Sequence, residues 1–251
     1  MYNIKLVIAY DGHHYFGWQK TAEGPSIEES LQVAIEQIVQ HPIILQAASR
    51  TDAGVHAQGQ VVNFLTSHSS LHMSRFQFSL NRLLPNDIAV LSIEKMPLTF
   101  HPTLDCQGKE YRYYICCGPK QLPFHRFYSW HVPYALSIEA IQQALPDLVG
   151  SHDFRAFCNV RKNRDYGDYV RDIQSLELIS IDSQRFFFRI QGNHFLYKMV
   201  RNLVGTLIQI GRGRFTRADL KAILHSKCRT QAGISAPAHG LFLHQLFYTA
   251  V

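Results

Sequence analysis

The chain is poor in charge, has no evident cysteine pairing and contains no long apolar run. Only 18% of its 251 residues are charged and 46% are hydrophobic. That balance excludes a disordered chain and allows one large domain or two halves sharing a core. The five cysteines, Cys106, Cys116, Cys117, Cys158 and Cys228, are odd in number and form no Cys-x-x-Cys pair. This argues against a disulfide framework and against a structural zinc site, and reduced thiols are expected. No stretch approaches the roughly 20 uninterrupted apolar residues needed to cross a bilayer. Residues 1–10 resemble a strand and not a signal core, so a soluble, cytoplasmic protein is expected. Phosphate-loop, His-Glu-x-x-His and Gly-x-Ser-x-Gly motifs are all missing. Gly211-Arg212-Gly213 follows a helical pattern and reads as a helix stop with two exposed arginines.

The charge that is present is unevenly placed. Residues 1–107 hold six Lys/Arg and nine Asp/Glu, a net of −3. The remaining 19 Lys/Arg and 10 Asp/Glu give residues 108–251 a net of +9, recovering the +6 of the whole chain. A basic half, richer in arginine than lysine, points to a polyanionic partner, with nucleic acid first among candidates.

Periodicity predicts an α+β protein. After the first strand, Ser26 opens a helix with Glu29 in a capping-box pattern, ending near Gln40. Residues 42–45 and 61–65 read as short buried strands, 73–84 as a helix, and 88–93 and 109–115 as further strands. In the last of these Tyr111, Tyr113 and Ile115 share one face. Ser137-Ile138-Glu139 echoes Ser26-Ile27-Glu28, which suggests two similar halves, 1–107 and 108–251, each with helices on a mainly antiparallel sheet. Residues 150–154 mark a helix stop and turn, 161–168 an exposed basic loop, and 170–181 with 184–191 a strand pair. Residues 195–210 form the strongest helix, with one wide apolar stripe.

The segment Ser49-Arg50-Thr51-Asp52-Ala53-Gly54-Val55-His56-Ala57-Gln58-Gly59-Gln60 looks least like scaffold. Gly54 and Gly59 let it turn sharply between its flanking strands. Asp52 has two readings: a turn aspartate bonding its own backbone, or a reactive carboxylate kept charged by Arg50 or Arg201. Arg201 is either a snorkelling residue on a buried helix or a cation aimed into a cleft. Tyr111 is either one more core aromatic or a ring on which a base stacks.

These residues bear a resemblance. Residues 49–60 resemble the signature of the tRNA pseudouridine synthase A family. Segments at 109–113, 150–157, 199–205 and 236–243 are similar in type and order, as are Tyr10-Asp11-Gly12 and Phe16-Gly17-Trp18-Gln19. The resemblance implies an α+β fold of two halves around a basic cleft, and a homodimer without metal or organic cofactor. It implies isomerisation of uridine to pseudouridine at positions 38–40 in the anticodon stem-loop of tRNAs. It gives Asp52 the catalytic role, places Tyr111 on the flipped uracil, and pairs Arg201 with Asp52. Arg50 would hold the target nucleotide out of its stack, and Leu243 would line the uracil pocket. One departure is Phe100-His101-Pro102-Thr103, where the family usually has Phe-His-Ala-Arg; it bears on how RNA is gripped near His101. Two other classes stand beside this one. A non-catalytic RNA-binding protein would use the basic C-terminal half and the aromatic strand. A nucleoside glycosidase ordinarily needs two carboxylates across the bond, and the segment offers one.

Overall fold

The computed structural model describes residues 1–68, 71–160 and 166–249. In chain order, strand β1 (Tyr2–Tyr10) is followed by helix α1 (Ile27–Val39), β2 (Gln46–Ala47), β3 (His56–Thr66), α2 (Met73–Leu83) and β4 (Ile88–Met96). Then come β5 (Cys106–Cys117), β6 (Trp130–Val132), α3 (Ile138–Ala144), β7 (Gly150–Asp153), β8 (Val170–Ser180) and β9 (Arg185–Gly192). Helices α4 (Met199–Gly211) and α5 (Arg217–Ser226) and strand β10 (Leu241–Tyr248) complete the order. The fold is α+β, with mixed but mostly antiparallel strands and, among the described residues, five α-helices. No helix among the described residues is long and apolar enough to cross a membrane.

The chain divides into two compact units. The first takes residues 1–107 and the chain from Phe242 onward; the second is Gly108–Leu241. The last strand, from its second residue on, therefore falls in the first unit.

In the first unit the strand order is β4-β1-β3-β10, with β2 on β3. Strand β1 pairs antiparallel with β3 and β4, while β10 runs parallel to β3 at Phe242–His56 and Leu243–Ala57. The alternation of β1 buries Ile4, Leu6 and Ile8 completely, the period-2 pattern of a strand with one covered face. Helix α1 follows from its sequence. The Ser26 side chain accepts from the Glu29 N–H at 3.3 Å, which satisfies one orphan donor of the first turn. Ile27, Leu31, Ala34, Ile35 and Val39 form its buried face, and Gln40 ends it in the left-handed region at φ 58°. Burying each of the larger side chains contributes about 1.5–3 kcal/mol.

In the second unit the order is β5-β9-β8-β7, with the short β6 parallel to β5. Tyr111 faces Ile190 and Tyr113 faces Phe188 across β5 and β9. Tyr113 and Phe188 are fully buried. The pair β8–β9 is antiparallel as its alternation predicts, turning at 181–184.

Four local expectations need correction. Residues 42–45 form no strand; only Gln46–Ala47 pairs, and Ile44 is exposed, because His41-Pro42 breaks the chain just after α1. Residues 150–153 are strand β7, paired with β8; glycine at the start suggested a stop, but Gly150 at φ +98° leads into the strand. The strongest helix begins at Met199, not at 195, since Lys198 takes a left-handed conformation at φ 58°. Gly59 is not part of the turn. It lies within β3, where its missing side chain admits the backbone of His244. In the predicted basic loop, residues 161–165 lie outside the described residues.

Candidate active site

Asp52 sits on the loop between β2 and β3, half-buried. Its carbonyl accepts from the Val55 N–H at 3.1 Å, closing a four-residue turn. Gly54 occupies the third position at φ +75°, the left-handed region that a glycine enters without strain. The loop is braced from outside by residues 10–18. The Trp18 N–H donates to the Thr51 carbonyl at 3.1 Å and the Gly54 N–H to the Tyr15 carbonyl at 3.2 Å. The Tyr10 and Thr51 hydroxyls lie 2.8 Å apart. Gly17, at φ +95°, lies flat against this backbone; a Cβ there would come within 2.6 Å of the Thr51 carbonyl oxygen.

The base of the loop is held by one side chain that sequence reasoning missed. Gln60 is completely buried. Its Oε1 accepts from the Ser49 N–H at 3.3 Å, and its Nε2 donates to the Ser49 carbonyl at 2.5 Å. The primary amide thus copies a strand pair and satisfies a buried backbone unit. The available signal was a polar residue beginning an otherwise apolar strand run.

His56, at the other end of this loop, is 1% exposed. Its Nδ1 lies 3.0 Å from both the Gly12 N–H and Asp11 Oδ1. Only one of these can be a hydrogen bond at a time: a bare Nδ1 accepts from Gly12, and an Nδ1–H donates to Asp11. The ring stacks on Phe242 at 4.5 Å between centroids. His56 is thus a packed anchor of the 10–18 loop and lies too deep to meet a substrate.

Arg50 is exposed beside this loop. Leu243, in contrast, is fully buried in β10. The segment 100–103 is held by its own hydrogen bonds. His101 Nδ1 accepts from the Thr103 and Leu104 N–H groups at 3.1 and 3.2 Å. Thr103 Oγ1 donates to the Ala47 carbonyl at 2.8 Å, tying this turn to the strand that leads into the Asp52 loop.

The second unit carries the other two predicted residues. Tyr111 is buried on β5, its ring set edge-on against Phe195 at 5.1 Å. Arg201 lies in the first turn of α4. Every other residue of that helix is buried, so Arg201 is its one side chain that reaches the surface. The helix has no side-chain cap at its N-terminus. Arg201 Nε donates to the Ala236 carbonyl at 2.7 Å, and the Ala236 N–H donates back to the Arg201 carbonyl at 3.0 Å. Asp52, Arg50 and Leu243 therefore belong to one unit, and Tyr111 and Arg201 to the other.

Known proteins are similar to this chain over its whole length. The profile of the tRNA pseudouridine synthase family matches residues 6–105 and 144–249. The chain belongs to that family. The tRNA pseudouridine synthase A 2 of Protochlamydia amoebophila is 58% identical, over 99% of this chain and 95% of its own length. The tRNA pseudouridine synthase A of an Exiguobacterium species is 41% identical over the full length of both chains. That of Bacillus pumilus is 39% identical over 98% of each. The resemblance drawn from residues 49–60 is thus sustained by the whole chain, and the activity is that of a tRNA pseudouridine synthase, an isomerase.

Proposed function

We propose that the chain converts uridine to pseudouridine at positions 38–40 in the anticodon stem-loop of tRNAs, with Asp52 as its catalytic carboxylate. The observation that carries this reading is the bracing of Asp52. A half-buried acid on a loop fixed by Gln60, Gly17 and three backbone hydrogen bonds is held as a reacting group must be. A turn aspartate would need none of that support.

The reaction breaks the N1–C1′ bond, turns the uracil and forms a C5–C1′ bond. C5 loses a proton and N1 gains one, so no electrons are exchanged and no group is added. The target base is stacked and must first be extruded, at a cost of a few kcal/mol. Arg50, exposed beside the loop, keeps the nucleotide out of its stack. Tyr111 contacts the flipped uracil and acts on its proton, and Leu243 backs the uracil pocket. Arg201, the one residue of α4 that is not buried, pairs with the Asp52 carboxylate. Asp52 then attacks C1′, adds to C6 or takes the C2′ proton. Two similar halves offer a basic cleft to the RNA, and the net +9 of residues 108–251 supports that part of the reading. The working form is a cytoplasmic homodimer.

One assay tests this. Purified protein is incubated with an unmodified tRNA transcript and no cofactor, and pseudouridine is mapped through its carbodiimide adduct. A stop at positions 38–40 is expected. Binding without a modified base would leave only an RNA-binding protein, and release of free uracil would mean a glycosidase.

A further inference from the structure

Behind Arg201 lies a polar cluster that none of the roles above uses. Its centre is Asn202, completely buried on α4. Asn202 Nδ2 donates to the Phe157 carbonyl at 2.7 Å and to Asn159 Oδ1 at 2.8 Å. Its Oδ1 accepts from Arg229 Nη2 at 2.9 Å and from the Ser235 hydroxyl. Arg229 also reaches Asn159 Oδ1 at 3.1 Å through Nε, the Gly233 carbonyl at 2.9 Å through Nη1, and Ser235 Oγ at 3.2 Å.

All the acceptors of Arg229 are neutral; among the described residues none is a carboxylate. Burial pushes its guanidinium below the ordinary arginine range, yet it remains charged at any working pH. A partly buried cation without a counter-ion is costly and is tolerated only when its hydrogen bonds are filled. Arginine supplies five donors in a rigid fork, and here the fork joins three separate pieces of chain: residue 159, helix α4 and residues 232–235.

That last segment is the support of Arg201. The Gly233 N–H donates to Thr206 Oγ1 at 2.9 Å. A Cβ at Gly205 would overlap the Ile234 carbonyl oxygen, so residues 232–236 lie directly on the helix. At their end Ala236 exchanges two hydrogen bonds with Arg201, one of them from Nε. Because the guanidinium is planar, fixing Nε sets the direction in which its remaining donors face.

We propose that Arg229 is a positioning residue of the reaction. It holds residues 232–236 against α4, and the Ala236 carbonyl in turn sets the aim of Arg201. The proposal rests on the reading of Arg201 as the partner of the catalytic carboxylate.

The test is a double-mutant cycle in the full-length protein, with single-turnover rate and tRNA affinity measured separately. Arg229→Ala is expected to slow pseudouridine formation by roughly 10²-fold, the scale of an ångström-sized misplacement, while the Kd for tRNA stays within about threefold. Arg229→Lys is expected to rescue little, since one ammonium cannot fill a forked set of acceptors. The combination of Arg201→Leu with Arg229→Ala should be no slower than Arg201→Leu alone. A folded Arg229→Ala enzyme with the wild-type rate, or effects that multiply in the double variant, would overturn the proposal. If Arg229→Ala fails to fold, Ser235→Ala takes its place in the cycle: slowing masked by Arg201→Leu supports the proposal, and an unchanged rate or multiplying effects overturn it. Wild-type protein that forms no pseudouridine would remove the functional reading itself; wild-type activity with an unaffected Arg229→Ala removes only this inference.

Discussion

The loop at 48–60 and the segment at 229–236 each steady one charged group, and they do it with different chemistry. The Asp52 loop is clamped by neutral groups: a carboxamide, a hydroxyl pair and backbone hydrogen bonds, with glycine permitting the close approach of residues 10–18. Arg201 is steadied by a segment that a second arginine secures. A neutral clamp fixes position without adding a field of its own, which suits a carboxylate whose charge state matters. A forked cation can join several carbonyls and amides at once, which suits a segment with no strand partner. Geometry can thus be held by close packing in one place and by a many-armed donor in another.

The largest expected effect breaks the comparison at its chemical end. Asp52→Asn should abolish turnover while tRNA binding in a filter assay stays close to wild type, because the amide keeps the shape of the carboxylate and loses its charge. Substantial activity in the purified variant would sink the assignment. Gln60→Leu should come next. It strips the Ser49 N–H and carbonyl of their partners, each at about 1–3 kcal/mol, and lowers the urea midpoint. Catalysis should fall as well if the neutral clamp positions Asp52; a stability loss with an intact rate would mean that Gln60 only supports the fold.

A smaller effect is expected from Tyr113→Phe in the second unit. The Tyr113 hydroxyl donates to the Pro237 carbonyl at 2.7 Å, next to the Ala236 contact with Arg201. Its removal should cost about 1 kcal/mol, read as a shift in urea midpoint. Burial already holds that phenol well above its ordinary pKa, so no change with pH is expected below the alkaline range.

The smallest effect lies on the surface and is a pH dependence. A hydrogen bond from Arg217, 2.8 Å away from Nη2, holds the Asp147 carboxyl below its ordinary range. A carboxylate with a depressed folded pKa contributes stability above its unfolded pKa, and that contribution fades as pH falls through the folded value. Arg217→Ala should therefore lower the urea midpoint slightly at pH 7, and the difference from wild type should shrink towards pH 3. A difference that grows in acid would reverse the sign of this argument.

Much of the fold was readable because short-range signals decided it. The Ser26 cap, the apolar spacing of α1, the alternation around Tyr111 and the apolar stripe of the 195–210 segment each lie within a few residues, and each element formed, the last with a later start than expected. Errors arose where a longer-range partner decided the outcome. Residues 42–45 are apolar enough for a strand but find no ladder, while 150–153 look like a stop and pair with β8. The start of α4 moved because one residue, Lys198, takes a left-handed conformation that its side chain does not announce.

For the site, the sequence by itself determined the chemistry on offer: one carboxylate, two arginines and a tyrosine in a recognisable order, and a basic half suited to RNA. Those are properties of residue type and spacing, and the family match extends over residues 6–105 and 144–249. Only the tertiary structure decided which buried polar side chains tie these segments together. Gln60 reaches back 11 positions to Ser49, and Arg229 reaches 70 positions back to Asn159 and 27 to Asn202. A buried polar side chain must find its partners wherever the chain has folded past it, and no local pattern records where that will be.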